Sequence, residues 1–271
     1  MKLSFIPNKD LKVDKEYLVK TAGSLALMAD FYEYSEEYQL NIQFERVYDG
    51  YSKMTINSKL INRIKTNDSF NYVFALLDFM EKLIIKVDFN GKIDSIYNGS
   101  TFRDEWEERR YDLKRTYNKD ENIDQQLKIA DSILSNKEKL IEFISQNGPF
   151  ALLLYPCFLE RETLESNIKL KDFLIDFDLP IVKNPVENTE TKLVFEGSIN
   201  NESFDKRPFV KFLKEKTDIY NLKALLDLDY EEKYEYKGQT LVAAEHYFAA
   251  GVMGCFSNTI ARTLIEKKNE S

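Results

Sequence analysis

The chain has one histidine, one tryptophan, two cysteines, six prolines and nine glycines among its 271 residues. Each scarcity removes a class of protein. Two cysteines, Cys157 and Cys255, cannot build the dense disulfide frame of a small secreted scaffold. They read as ordinary buried thiols, with one bridge between them as the alternative. A lone histidine with two distant cysteines offers no CxxC, HxxxH or HExxH spacing, so neither a metal site nor a cofactor is expected. No G-x-G-x-x-G, Walker-type loop or G-x-S-x-G elbow is present. Gly251-Val252-Met253-Gly254 is too short for a phosphate loop and has no lysine behind it. Few glycines and prolines also argue against low-complexity linkers.

Basic excess is lacking too. With 38 Lys and Arg against 46 Asp and Glu, the formal net charge is −8. Such a surface repels phosphate backbones and anionic lipid, so no nucleic-acid partner is expected, and a protein partner would be a basic one. No window approaches 18 uninterrupted apolar residues, so no membrane span is predicted. The segment Met1–Asp10 has no apolar core of the kind a signal peptide needs, which makes the cytoplasm the expected address.

What the chain does contain is aromatic residue, 19 Phe and 16 Tyr, with 43% hydrophobic and 31% charged residues overall. That is the composition of a folded, water-exposed protein. Its length allows one sizeable core. We expect a single α+β domain over 1–271, with two loosely similar halves, about 1–150 and 151–271.

Periodicity supplies the elements. Tyr38, Leu40, Ile42 and Phe44 alternate with polar residues, Asp49-Gly50 suits a type I′ turn, and Met54, Ile56 and Leu60 alternate on the return. This predicts a hairpin over 38–61. Leu83, Ile85, Val87 and Phe89 with Asn90-Gly91 predict another over 83–97. Tyr72–Met80 is readable either as strand or as short helix. From Phe102 and Trp106 onwards the spacing becomes helical, and Ile123, Leu127, Ala130 and Leu134 repeat it. Ser135-Asn136-Lys137-Glu138 fits a capping box, and Asn147-Gly148-Pro149 is a stop. A central helical segment over about 101–147 follows. The apolar run 150–155 is a buried helical turn or a strand.

Later strands are expected over about 171–265. Lys171–Leu179 alternates until Pro180 and Pro185 end it, Thr191–Ile199 is a further candidate, and Phe209–Lys216 fits a short helix. Leu226, Leu228, Tyr230, Tyr234 and Tyr236 share one parity. In 241–265 the alanines favour helix and the threonines strand, and we read strands. Strands, helices, then strands again imply an α+β fold: a curved antiparallel sheet packed against the helices.

Candidate chemistry is thin. His246 and Cys255 could form a thiol–imidazole pair if neighbouring strands brought them together, but the local context of a cysteine nucleophile is missing. Asp176 with Asp178, and Asp227 with Asp229, could serve a hydrolase, though alternation alone predicts them as polar faces. The carboxylates around Trp106 read as a solvated helix face. Tyrosines are the feature that stands out: Tyr32, Tyr34, Tyr48, Tyr51, Tyr230, Tyr234 and Tyr236 are interface candidates, since tyrosine pairs a large apolar area with a wet hydroxyl. The sequence therefore favours a non-catalytic protein-binding module, such as an adaptor or chaperone for a secreted protein or an immunity protein against a toxin. The alternatives are a carrier of an apolar small ligand in a sheet–helix cleft and an unfamiliar hydrolase using carboxylates or His246 and Cys255.

Overall fold

The structure, a computed structural model, describes residues 13–46, 51–66, 68–87, 93–154, 164–169, 178–219, 226–238 and 240–267. The turns Asp49-Gly50 and Asn90-Gly91, together with Tyr48, Cys157 and Asp176, lie outside them.

A long antiparallel meander opens the chain: β1 (Val13–Leu27), β2 (Asp30–Arg46), β3 (Ser52–Lys65), β4 (Lys82–Val87) and β5 (Ile93–Ile96). Between β3 and β4 sits helix α1 (Tyr72–Leu77). Helices α2 (Gly99–Thr116), α3 (Ile123–Ser135) and α4 (Lys137–Gln146) follow, then a 3-10 turn (Gly148–Phe150) and α5 (Ala151–Leu154). A second meander completes the fold: β6 (Leu164–Lys169), β7 (Asp178–Asn188), β8 (Lys192–Ile199), α6 (Lys206–Thr217), β9 (Asp227–Lys237), β10 (Thr240–Val252) and β11 (Phe256–Glu266). The eleven strands form one open sheet in the order β5-β4-β3-β2-β1-β11-β10-β9-β8-β7-β6. The two meanders are thus stitched together at β1 and β11, which pair from Tyr17↔Glu266 to Leu27↔Phe256.

The predicted α+β class, with its antiparallel sheet and central helices, is what the structure has. Several details differ. β1 was not foreseen, and β2 begins eight residues before Tyr38. The start of α4 is capped by Asn136, whose side chain accepts from the Lys139 amide, while Ser135 closes α3 instead of capping. Pro180 and Pro185 do not end a strand; both lie inside β7. Pro185 sits at the register shift between Pro185 and Glu187, where a ladder bond is already missing and proline does little harm. The ambiguous 72–80 and 150–155 segments contain α1 and α5, both helical, and 241–265 is strand.

One face of the sheet carries the core, because side chains alternate and the helices lie only on that side. Two apolar clusters divide it. The larger joins Tyr17, Val19, Leu40, Ile42, Ile56 and Leu264 to Trp106, Leu127, Ile144 and Phe150 of the helices. The smaller joins Leu25, Ile181, Phe248, Ala250 and Phe256 to Phe209 and Leu213 of α6. What separates them is polar.

A buried polar row as the candidate functional site

Reading along the central strands, a polar residue interrupts the largely apolar inward-facing set at one level of the sheet, and β11 adds a second, the buried Asn258. At the shared level it is Glu36 on β2, Thr21 on β1, Arg262 on β11, His246 on β10 and Glu232 on β9. Register places them side by side: Glu36 opposite Thr21, Thr21 opposite Arg262, Arg262 opposite His246, and His246 opposite Glu232. β3 supplies Arg63 opposite Glu36. The bulge between Glu37 and Tyr38 makes this possible, because one extra β3 residue shifts the parity from Met54, Ile56 and Ser58 to Arg63. A polar row therefore crosses six adjacent strands at right angles to their direction. Glu36, Thr21, Glu232 and Arg262 are all buried.

Each end of the row is charge-balanced. Arg63 donates to Glu36 Oε1 at 2.7 Å and to Asp78 at 2.7 Å, and its guanidinium lies 4.6 Å from the Phe74 ring centre. Burial raises the Glu36 carboxyl above its ordinary range, an effect that Arg63 and the Tyr38 hydroxyl only partly reverse. At the other end Lys183 of β7 reaches Glu232 Oε1 at 2.7 Å, and Tyr230 donates to the same oxygen. Lys183 stands opposite Gly197. A Cβ at Gly197 would lie 2.6 Å from the Tyr230 ring, so this close packing needs glycine. Burial lowers the Lys183 ammonium pKa against the pull of Glu232.

The centre of the row is different. Arg262 donates through Nη1 to His246 Nδ1 at 3.2 Å and through Nη2 to the Gln146 carbonyl at 2.9 Å, at the last turn of α4. It has no carboxylate partner among the described residues. An arginine only donates, so His246 Nδ1 must accept, and the neutral ring then carries its hydrogen on Nε2. Burial, reinforced by the positive charges of Arg262 and Lys183, holds the His246 pKa well below the usual imidazole value. Four buried polar atoms here lack a partner among the described residues: Thr21 Oγ1, Arg262 Nε, His246 Nε2 and Glu232 Oε2. Each unsatisfied group costs about 1–3 kcal/mol. Together that is comparable with the roughly 5–15 kcal/mol stability of a whole domain.

These atoms are not sealed in solid protein. A cavity of about 320 Å³ lies between the row and the helices, lined by all four residues and by Phe74, Leu77, Phe143, Leu152, Phe248 and Ile260. At about 30 Å³ per water it has room for roughly ten waters or a ligand of similar bulk. Its lining is mainly apolar by area, with the polar row on the sheet side and Asn71, Glu142, Ser145, Gln146 and Asn147 on the helix side.

Placement of the sequence candidates follows. Tyr32, Tyr230, Tyr234 and Tyr236 are buried on the inner face, and Tyr34, Tyr230 and Tyr234 line the cavity. These tyrosines thus form an inner wall and not an outer surface. Tyr51 is half-buried beneath Lys86, whose ammonium lies 3.7 Å from its ring centre. His246 and Cys255 are not brought together: His246 is paired with Arg262, whereas Cys255 sits in the β10–β11 turn, beyond the Val252↔Phe256 pair. The six steps of extended chain from His246 to Val252, the end of β10, at about 3.3 Å each set the histidine and the turn cysteine roughly 20 Å apart, and no thiol–imidazole chemistry follows. Among the described residues no cluster of three metal-ligating side chains occurs, and no helix is long and apolar enough to cross a membrane.

The His246 environment has a measurable consequence. Its folded pKa lies below its unfolded value of about 6.5, so between the two the unfolded chain binds more protons and acid favours unfolding. Glu36, with a raised pKa, acts oppositely as pH rises above its unfolded value. Urea unfolding at pH 7.5 and 5.5 is therefore expected to show a smaller acid-induced loss in His246→Gln than in the natural protein. Equal losses would remove the neutral, buried imidazole from the account.

Fold and site together define a class: an open antiparallel sheet roofed by helices, with a polar-striped cavity beneath the roof. No family model and no curated protein matches the chain. Among solved structures it is similar to one described as "Lipid-protein interactions in lipovitellin", at 10% identity and a TM-score of 0.41, over 94% of this chain and 25% of that one. The chain thus spans about a quarter of that protein's length, and so low a TM-score carries no functional argument.

Proposed function

We propose that the protein is a non-catalytic carrier that encloses a small, mainly apolar molecule between its sheet and its helices. The cavity supports this reading, because its walls are mostly aromatic and aliphatic while one stripe of unpaired polar atoms would orient a guest. A hydrolytic role has less support, since the row's two outer carboxylates are each engaged by a cation. Native mass spectrometry of protein purified from its own host, followed by organic extraction, tests it. The expected result is a co-purifying small molecule released by the extraction. Protein that carries none, and that takes up neither decanol nor decanoate once stripped, would overturn the reading.

A second reading, a protein partner, has its own support. Phe31, Ile64 and Tyr247 leave apolar area on the face of the sheet away from the helices, beside an acidic overall charge suited to a basic partner. The same spectra would show it as a second chain at fixed ratio.

A further inference from the structure

We propose that Thr21, Arg262 and His246 form a headgroup site for a monocarboxylate whose apolar tail lies against Phe74, Phe143 and Leu152. This deepens the carrier reading and rests on it. The three residues occupy consecutive strands in direct register, with neighbouring Cβ atoms about 4.5–5.5 Å apart. Each holds a polar group without a partner among the described residues, and each of those groups can donate: the Thr21 hydroxyl, Arg262 Nε–H and His246 Nε2–H. Three donors side by side on a cavity wall suit an acceptor with several lone pairs, which a carboxylate has.

Charge sets the ligand's sign and size. Arg63 is balanced by Glu36 and Asp78, and Lys183 by Glu232. Arg262 is left with the Gln146 carbonyl at the end of α4, where the helix dipole supplies about half a negative charge; Glu142, one turn earlier, lines the same cavity but makes no ion pair with Arg262 among the described residues. A buried cation so weakly compensated is costly unless an anion joins it. A monocarboxylate brings the smallest anionic charge that can answer Arg262, whereas a doubly charged phosphate would set a second charge against a wall that already holds Glu36, Glu142 and Glu232. Glu232 lies on the far side of His246 from Thr21, which keeps its charge at the distal end of the site. The cavity volume admits an acid of about ten carbons by the same water-sized measure.

Calorimetric titration of stripped protein with decanoate, decanol and decyl phosphate tests the proposal. In the natural protein decanoate is expected to bind at least tenfold tighter than decanol and tighter than decyl phosphate. Arg262→Met should bring decanoate down to the level of decanol and raise the melting temperature of the ligand-free protein. Thr21→Val, a near-isosteric change, should weaken decanoate about tenfold; it keeps the test available if Arg262→Met does not fold. Equal affinity for decanoate and decanol would overturn the headgroup site while leaving the carrier reading standing. Tighter decyl phosphate would overturn the choice of a monocarboxylate. Failure of all three compounds to bind would overturn both proposals.

Discussion

Replacing Glu232 by alanine is expected to cost about 3–5 kcal/mol of folding stability, the typical penalty for stripping one partner from a buried ion pair. Lys183 and Glu232 side chains are only 2% and 6% exposed, so bulk solvent is shut out and only water within the cavity they line could reach the lost contact. The Tyr230 hydroxyl, which donates to the same carboxylate, loses its acceptor too. The double change Lys183→Met with Glu232→Leu should recover most of the loss, because two apolar side chains of similar length need no counter-ion. Urea unfolding of both singles and the double closes the cycle. The alanine variant should also gain stability on raising the pH from 7 to 9.5. Its lysine then titrates below the unfolded value of about 10.4, so that the unfolded chain holds more protons in that window and stability rises with pH. A single-variant loss below 1 kcal/mol would show that the pair is solvated.

Trp106→Ala is expected to have an effect of similar size, about 3–5 kcal/mol, by a different route. Trp106 is 2% exposed, packs against Phe79 with ring centres 6.1 Å apart, and donates through Nε1 to Asp131 at 2.7 Å. It fastens α2 to α3 and both to the larger apolar cluster. Truncation leaves a void the size of an indole and a carboxylate short of one donor. The cavity does not include Trp106, so decanoate affinity, measured well below the melting point, should stay within about twofold. A large loss of affinity would mean that the helical roof and the cavity are one mechanical unit. Asp131→Ala removes the hydrogen bond together with the solvent-exposed Arg110 ion pair, and should still cost only about 1–2 kcal/mol.

Much of the fold was legible because most elements obey simple periods. Tyr38 to Phe44 and Leu83 to Val87 alternate cleanly, and the stripe from Ile123 to Leu134 recurs at helical spacing. β1 escaped for a physical reason. Its inward set runs Tyr17, Val19, Thr21, Gly23, Leu25, and a hydroxyl followed by a glycine interrupts the apolar signal. Gly23 is small because the Tyr34 ring lies over it; a Cβ there would sit 2.4 Å from that ring. The same interruption hid the site. Glu232 lies between Tyr230 and Tyr234, at the same parity as the tyrosines that drew attention, yet its carboxylate read as one acid among 46. A polar residue at an inward position of each strand was visible in principle. Their alignment into a row was not, because it depends on the β1–β11 register and on the bulge beside Tyr38, neither of which leaves a local mark. The cap of α4 lies one residue beyond the serine that the capping-box pattern picks out, since Ser135 and Asn136 are both good caps and only the geometry of the α3–α4 junction chooses between them.

The pairing of β1 with β11 also sets the order of events at the ribosome. Lys15 and Glu266, joined across that seam, are 251 positions apart. At about 5–20 residues per second, β1 is made on the order of ten to fifty seconds before its partner. For that interval the first meander exposes a long, unprotected edge that favours joining to other chains. The three proposed headgroup donors come from both sides of the seam, so ligand recognition can begin only once it closes. Binding competence is therefore a report that translation has run through β11 and that the two meanders have found each other.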